Sequence, residues 1–242
     1  MKKAIKLPRN KAMMITLTVV MLAAALLAVW FFASPVLEQQ RRAEHQAALL
    51  ESITTGDGTI TVNDRYAAEE VDFYDDGPQA PAVEMIAFLP EIPLTVEAAE
   101  EQPQESGGNV ITGIGVLTIE RIDAVLPVAE GVSSAQLKVA LGHVPQTAAI
   151  GDTGNAVIAG HRSYEYGQFL NRLGEVELND IILYQPKDGE EMRFIVDEIL
   201  EIVPGDQVAF EQPEDNAQIT LYTCTPIRTA THRLLVRASR II

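Results

Sequence analysis

Hydrophobic and polar positions divide the chain into an uncharged N-terminal stretch, a polar middle and a C-terminal half of short alternating runs. The uncharged stretch covers residues 12–37. As a helix it would be about 39 Å long, enough to span a hydrocarbon core of about 30 Å with some tilt. Its apolar run is longer than that of a cleavable signal peptide, which favours an uncleaved anchor. The pattern therefore predicts a transmembrane helix.

Charges beside this helix predict its orientation. The preceding residues 1–11 carry five positive side chains, which are Lys2, Lys3, Lys6, Arg9 and Lys11. Positively charged flanks stay in the cytoplasm, so residues 1–11 are predicted to form a cytoplasmic tail. We therefore expect a single-pass protein of the cell membrane whose remaining chain is extracytoplasmic.

The polar middle, residues 38–110, predicts an extracytoplasmic stalk. It begins with good helix formers over residues 38–53, so the helix should continue for a few turns beyond the membrane. Residues 51–110 contain fourteen acidic side chains, one basic side chain and several prolines and glycines, a composition typical of a disordered linker. Apolar patches within residues 71–89 leave a second possibility, a lid that docks on the folded domain.

Residues 111–242 predict an all-β domain. Short apolar runs bounded by turn residues indicate strands at residues 116–122, 124–128, 155–160, 180–185, 191–203, 218–223 and 232–238. One helix is predicted over residues 133–141, with Ser133 or Ser134 as its cap. Many short strands with few helices favour a barrel or a sandwich.

Composition narrows the possible functions. The net charge is −16, and an acidic surface disfavours nucleic acid as a partner. Cys224 is the only cysteine, which excludes a disulfide framework and argues against a structural zinc site. We expect neither a metal nor a cofactor. Outside the cytoplasm most thiols form disulfides, and the chain has no second cysteine, so Cys224 is buried, bridged to another chain or kept for chemistry.

Three side chains are candidates for that chemistry. Cys224 follows a predicted strand and precedes Pro226, and His161 follows another strand. If these two strands are parallel and adjacent, both side chains emerge at one edge. Arg233 opens the strand after the loop 225–231, so a hairpin would bring it to Cys224. A thiolate nucleophile, a histidine acid–base and an arginine that stabilises an oxyanion suit acyl transfer.

Each candidate also has a common structural explanation. A lone cysteine is often a small buried hydrophobe, and a lone arginine is often a surface charge. Arg237 competes with Arg233 on the same strand face. We interpret His143 as structural, and His232 should point away from Arg233 because alternate residues of a strand face opposite sides.

Taken together, the motifs resemble those of the sortases, bacterial cysteine transpeptidases that join cell-surface proteins. The run Thr220-Leu221-Tyr222-Thr223-Cys224 resembles the signature T-L-x-T-C, and Gly160-His161-Arg162 resembles the histidine motif of that family. Arg233 matches the family arginine. The resemblance implies a closed eight-stranded β-barrel with short helices as the catalytic domain, residues 111–242. It implies Cys224, His161 and Arg233 as catalytic residues, with Thr223 as a substrate contact.

The resemblance also implies partners. A sortase of a Gram-positive cell wall would cleave a sorting signal similar to Leu-Pro-x-Thr-Gly between threonine and glycine. The resulting thioester would pass to an amine, either a pilin lysine or a lipid-linked peptidoglycan precursor. The cysteine and arginine motifs are most similar to class C, the pilus-assembling sortases. Class D or housekeeping sortases, a non-catalytic sortase-like binding module and a hydrolytic thiol protease are the alternatives.

Overall fold

The computed structural model describes residues 9–62, 109–163 and 167–241. They belong to two compact units, one ending at Glu44 and one beginning at His45. The hypothetical lid, residues 71–89, lies outside the described residues.

One helix, α1 (Arg9–Thr55), accounts for the described part of the first unit and runs on into the second. Many of its apolar side chains are exposed: Val19, Leu27 and Trp30 are 59%, 65% and 69% exposed. From Thr18 onward the helix is long and apolar enough to cross a membrane, and an 18-residue window within it has a mean hydropathy of 2.3. This agrees with the apolar helix expected over residues 12–37.

The second unit is a barrel. The strands of its described residues are β1 (Thr59–Val62), β2 (Asn109–Ile119), β3 (Ala124–Glu130), β4 (Leu141–His143), β5 (Gly154–Ala159), β6 (Ile181–Pro186), β7 (Met192–Ile202), β8 (Ala217–Thr225) and β9 (His232–Ile241). The order around the barrel is β2-β3-β4-β5-β8-β9-β7-β6, and β6 closes it by pairing with β2. Strand β1 is added outside this ring, on β2. The expected closed eight-stranded barrel is confirmed.

The predicted helix over residues 133–141 is shorter in the structure. Helix α2 (Ser134–Leu137) begins as expected, with Ser133 as a cap whose hydroxyl accepts from the Gln136 amide at 3.4 Å. It ends early because Leu141 enters β4, which pairs with β3 on one side and β5 on the other. Strand pairing across the barrel thus outweighs the local preference for helix.

Strands β5, β8 and β9 are buried on both faces. One face contributes alternate residues such as Ile158, Leu221 and Val236 to the barrel core. The opposite face forms a second apolar cluster together with a short 3-10 helix, Gln207–Phe210. Because both faces are apolar, these strands read as continuous hydrophobic runs in the sequence.

The folded unit starts earlier than the predicted boundary at residue 111. The end of α1 packs on β2, where Leu49 and Ile53 are 0% and 4% exposed. A β-carbon on Gly113 would lie only 2.5 Å from Ile53 Cγ1, so the helix crosses this strand at a position that admits no side chain. Strand β1 then pairs with β2 from Thr59↔Thr112 to Val62↔Asn109. Residues 45–62, assigned to the stalk on sequence, therefore belong to the folded unit.

Removing the Leu49 side chain should destabilise the domain. In a fragment of residues 45–242, we expect Leu49→Ala to lower the free energy of unfolding by roughly 2–5 kcal/mol, because it leaves a cavity between helix and sheet. Urea denaturation followed by circular dichroism measures this change. The neighbouring Leu50 is partly exposed, so Leu50→Ala serves as control with an expected loss under about 1 kcal/mol. Equal losses for both variants would contradict the docking of the helix.

Candidate active site

Two parallel strands bring His161 and Cys224 to one end of the barrel. Strands β5 and β8 are adjacent and parallel, and their last paired residues are Ala159 and Tyr222. Beyond this pair, the Gly160 amide donates to the Tyr222 carbonyl at 3.0 Å. His161 and Cys224 each lie two residues past the last pair. The condition set by the sequence analysis, that these strands be parallel neighbours, is thus met.

The hairpin of β8 and β9 adds the third residue. These strands are antiparallel, and Cys224 lies directly opposite Arg233 in the register. The alternative arginine, Arg237, lies opposite Thr220, four residues further from the strand end. The structure therefore brings Arg233, and not Arg237, to the end that carries the cysteine.

Cys224 and Arg233 also share a face of strands β8 and β9. Residues of the barrel core on these strands include Leu221 and Leu234. Each of the two candidates is an odd number of positions from its core-facing neighbour, so each belongs to the opposite face, outside the barrel. His161 is exposed and Cys224 is partly buried, whereas Arg233 is only 5% exposed. A thiol and an imidazole that solvent reaches are open to a substrate.

Backbone carbonyl groups hold the Arg233 side chain. Its Nη1 donates to the carbonyl of Ala230 at 2.8 Å and to that of His232 at 3.0 Å. Ala230 has a φ of +49°, an uncommon conformation for a residue with a side chain. The loop between β8 and β9 is thereby shaped so that its carbonyls anchor the guanidinium.

Tyr222 lies beside this arginine and was missed on sequence. It precedes Cys224 by two residues on the same face, is 6% exposed, and has its ring 6.2 Å from that of Phe210. Burial raises the pKa of the Tyr222 phenol, and the Arg233 cation partly offsets this effect. The two-residue period of a strand could have identified Tyr222 as a neighbour of the site.

Thr223 does not join the other candidates. Its side chain is on the core-facing side of β8, 1% exposed, and its hydroxyl donates to the Gly160 carbonyl at 2.7 Å. The predicted substrate contact is corrected because strand alternation turns residue 223 away from the face that carries Cys224. Through this hydrogen bond, Thr223 instead links β8 to the residue that follows β5.

The competing residues have structural positions. His143 is 5% exposed, with Nδ1 3.0 Å from a Glu130 carboxylate oxygen and Nε2 2.9 Å from the Ala148 carbonyl. Arg237 forms an ion pair with Glu198 at 2.6 Å and also donates to the Val208 carbonyl. Arg237 thus helps to hold the short 3-10 helix against the sheet, and His143 joins β4 to its neighbours.

Arg162, directly after His161, is the second residue that sequence reasoning left without a role. It is partly buried, and its Nη1 donates to the Thr225 hydroxyl at 2.7 Å. Burial lowers the pKa of this guanidinium, while nearby Glu201 and Cys224 act in the opposite direction. Its position beside His161 in the motif is the signal that could have marked it.

This arrangement has the parts that acyl transfer needs. A thiol can attack a carbonyl carbon, an imidazole can move protons, and a fixed guanidinium can stabilise the oxyanion. All three emerge at the same end of three adjacent strands, and Cys224 and Arg233 also share a face.

Comparisons with known proteins agree with this site. A family model described as Sortase domain matches residues 117–241, a range that contains all three side chains. Sortase SrtE1 of Streptomyces coelicolor is 29% identical over 144 residues, which cover 51% of this chain but only 39% of that relative. The chain therefore spans about two fifths of the length of this curated relative.

Solved structures are also similar. Sortase A from Corynebacterium diphtheriae is 34% identical with a TM-score of 0.52, over 55% of this chain and 62% of that one. Sortase C of Streptococcus pneumoniae, whose structure was described in terms of pilin substrate specificity, is 29% identical with a TM-score of 0.51. That match covers 54% of this chain and 69% of the other.

Proposed function

Because the chain belongs to the sortase family, whose domain model matches residues 117–241, we propose that it is a membrane-anchored cysteine transpeptidase. One observation carries the proposal: His161, Cys224 and Arg233 emerge at one end of three adjacent strands, with Cys224 directly opposite Arg233. The substrate is a surface protein with a sorting signal similar to Leu-Pro-x-Thr-Gly. The apolar α1 supports attachment to the membrane.

The first half-reaction forms a thioester. The Cys224 sulfur attacks the threonine carbonyl carbon as a thiolate, and the carbonyl electron pair moves to oxygen. The Arg233 guanidinium stabilises this oxyanion, since the carbonyls of Ala230 and His232 hold it in place. When the intermediate collapses, the threonine–glycine bond breaks. The leaving amine takes its proton from His161.

The second half-reaction consumes the thioester. A nucleophilic amine attacks the same carbon, and His161 accepts the proton that the amine loses. The carbon–sulfur bond then breaks, which releases Cys224 as thiolate and joins the threonine to the amine by an amide bond. The amine is a pilin lysine, as in class C sortases, or a peptidoglycan precursor, as in class D and housekeeping sortases. The likeness to the pneumococcal sortase C supports the pilin lysine.

A fluorogenic peptide tests this function. Purified residues 45–242 should cleave a Leu-Pro-x-Thr-Gly peptide between threonine and glycine, and added amines should appear in a new amide product. Mass spectrometry identifies the products with a lysine derivative and with a glycine peptide as rival acceptors. A hydrolysis product alone, with neither amine incorporated, would instead indicate a thiol protease. Binding of the peptide without cleavage would indicate a binding module.

A further inference from the structure

The backbone ladder that joins β5 to β8 ends before it reaches His161 and Cys224. The last pair is Ala159 with Tyr222, and one further bond runs from the Gly160 amide. Beyond that point the Thr223 and Arg162 side chains connect the ends of these two strands. A nucleophile and its proton donor must keep their separation to a fraction of an ångström, so these connections bear on catalysis.

The Arg162 side chain is the outermost of these connections. It belongs to the residue after His161, and its Nη1 donates to the Thr225 hydroxyl at 2.7 Å, one residue beyond Cys224. The same nitrogen is 3.5 Å from the Cys224 carbonyl oxygen. Thr225 is 6% exposed and, by strand alternation, faces away from the Cys224 side chain. Arg162 therefore joins the two strand ends from the side opposite the thiol.

The loop after β5 holds Arg162 from its other side. Arg162 Nε donates to the Asn171 carbonyl at 3.4 Å. Asn171 is 7% exposed, and its side-chain amide donates to the Ser163 carbonyl. The Leu170 amide donates to the carbonyl of His161 at 3.2 Å. Movement of Arg162 would thus be transmitted to the backbone of His161.

Because Gly174 has no side chain, the Arg162 guanidinium can lie against it. A β-carbon at residue 174 would lie 2.7 Å from Arg162 Nη2, and its other contact within 4 Å is Cζ of the same side chain at 3.8 Å. The φ of Gly174 is outside the left-handed region, so its backbone would accept alanine. The contact that disfavours alanine here is therefore with Arg162.

We propose that Arg162 is a positioning residue that fixes His161 relative to Cys224. The effect that we expect from Arg162 on turnover rests on the proposed transpeptidase function. Arginine suits this role because one planar guanidinium bonds Thr225 and Asn171 at the same time, which a lysine ammonium cannot reproduce. Since Arg162 faces away from the thiol, its replacement should change the chemical step more than peptide binding.

The test compares Arg162→Gln, Arg162→Lys and Gly174→Ala in residues 45–242. We expect each to lower kcat roughly 10- to 100-fold through misplacement of the reacting groups. KM should stay within about threefold, because binding to the peptide face is retained. Arg172→Gln is the matched control: it removes an arginine of the same loop that bonds Glu175 and the Ile122 carbonyl. This control should lose stability but keep kcat.

The decisive measurement is the coupling between residues 162 and 174. Gly174→Ala should slow the enzyme when Arg162 is present and add nothing further in the Arg162→Gln background, because the displaced group is then gone. Additive effects of the two substitutions would overturn the proposal. So would a loss of thermal stability with unchanged kcat.

A second readout does not depend on peptide turnover. We expect Arg162→Lys, which keeps the positive charge near Cys224, to shift the pH profile of Cys224 alkylation by iodoacetamide in the same direction as His161→Ala. The double variant should show no additional shift, because both substitutions act through the position of the His161 imidazole. If the wild-type protein fails to cleave the peptide but these alkylation effects coincide, the transpeptidase assignment fails and the positioning role stands. Unchanged alkylation in Arg162→Lys would overturn the positioning role.

Discussion

Replacement of Cys224 by alanine is expected to abolish both cleavage and transfer of the sorting peptide. Every covalent step uses the sulfur, so no intermediate can form without it. Removal of a catalytic nucleophile costs at least about a thousandfold in rate in well-studied hydrolases, and we expect a loss of this size or larger. The side chain is partly exposed at a strand end, so the fold should be retained.

Two measurements check this expectation. The first is the initial rate on the fluorogenic peptide, with melting temperature as evidence that the variant is folded. The second is intact mass after incubation with peptide: the wild-type protein should gain the mass of the acyl fragment, and the alanine variant should not. Cys224→Ser is the matched variant, because it keeps a polar side chain of similar size with a weaker nucleophile. Turnover by the alanine protein comparable to wild type would exclude the mechanism.

Arg233→Lys is expected to cause the second largest loss, about 100- to 1000-fold in kcat/KM, the usual effect of removing one oxyanion donor. The substitution preserves the positive charge. It removes the planar guanidinium whose Nη1 bonds the Ala230 and His232 carbonyls at 2.8 and 3.0 Å, a geometry that a lysine ammonium cannot reproduce. The effect should therefore come from geometry rather than charge.

Arg240→Lys is the control for this prediction. Arg240 lies on the same strand, is exposed, and donates to the Gly151 carbonyl, far along β9 from the catalytic end. Its replacement should leave kcat/KM within about twofold of wild type. A lysine at residue 233 that supports near-normal turnover would show that positive charge alone suffices there. The proposed oxyanion role of a fixed guanidinium would then be wrong.

The N-terminal boundary of the folded unit, near residue 45, could not be predicted from the sequence. Leu49 and Ile53 lie in a run of good helix formers, which correctly indicated a helix. Nothing local indicates that these side chains pack over Gly113, some sixty residues later in the chain. Helix propensity is a property of neighbours in sequence, whereas docking depends on a partner surface that exists only after the barrel has closed.

The candidate active site was also predicted only in part from the sequence. Motif spacing and strand alternation placed His161, Cys224 and Arg233 at strand ends, and the observed register agrees. The same alternation, applied to residue 223, would have turned Thr223 inward. Strand alternation alone does not separate Arg233 from Arg237, because both occupy one face of β9; the expected hairpin and the family resemblance favoured Arg233. The pairing with β8 places Arg233 opposite Cys224 and Arg237 opposite Thr220.

By itself the sequence determined the apolar helix, the succession of short strands and the residues able to carry acyl transfer, because these depend on local periodicity and side-chain chemistry. The tertiary structure decided that the end of α1 packs over Gly113, that the Thr223 hydroxyl bonds the Gly160 carbonyl, and that the Arg162 guanidinium lies against Gly174. These features arise from contacts between segments far apart in the chain. Their geometry is set by barrel closure and strand register, which no local pattern encodes.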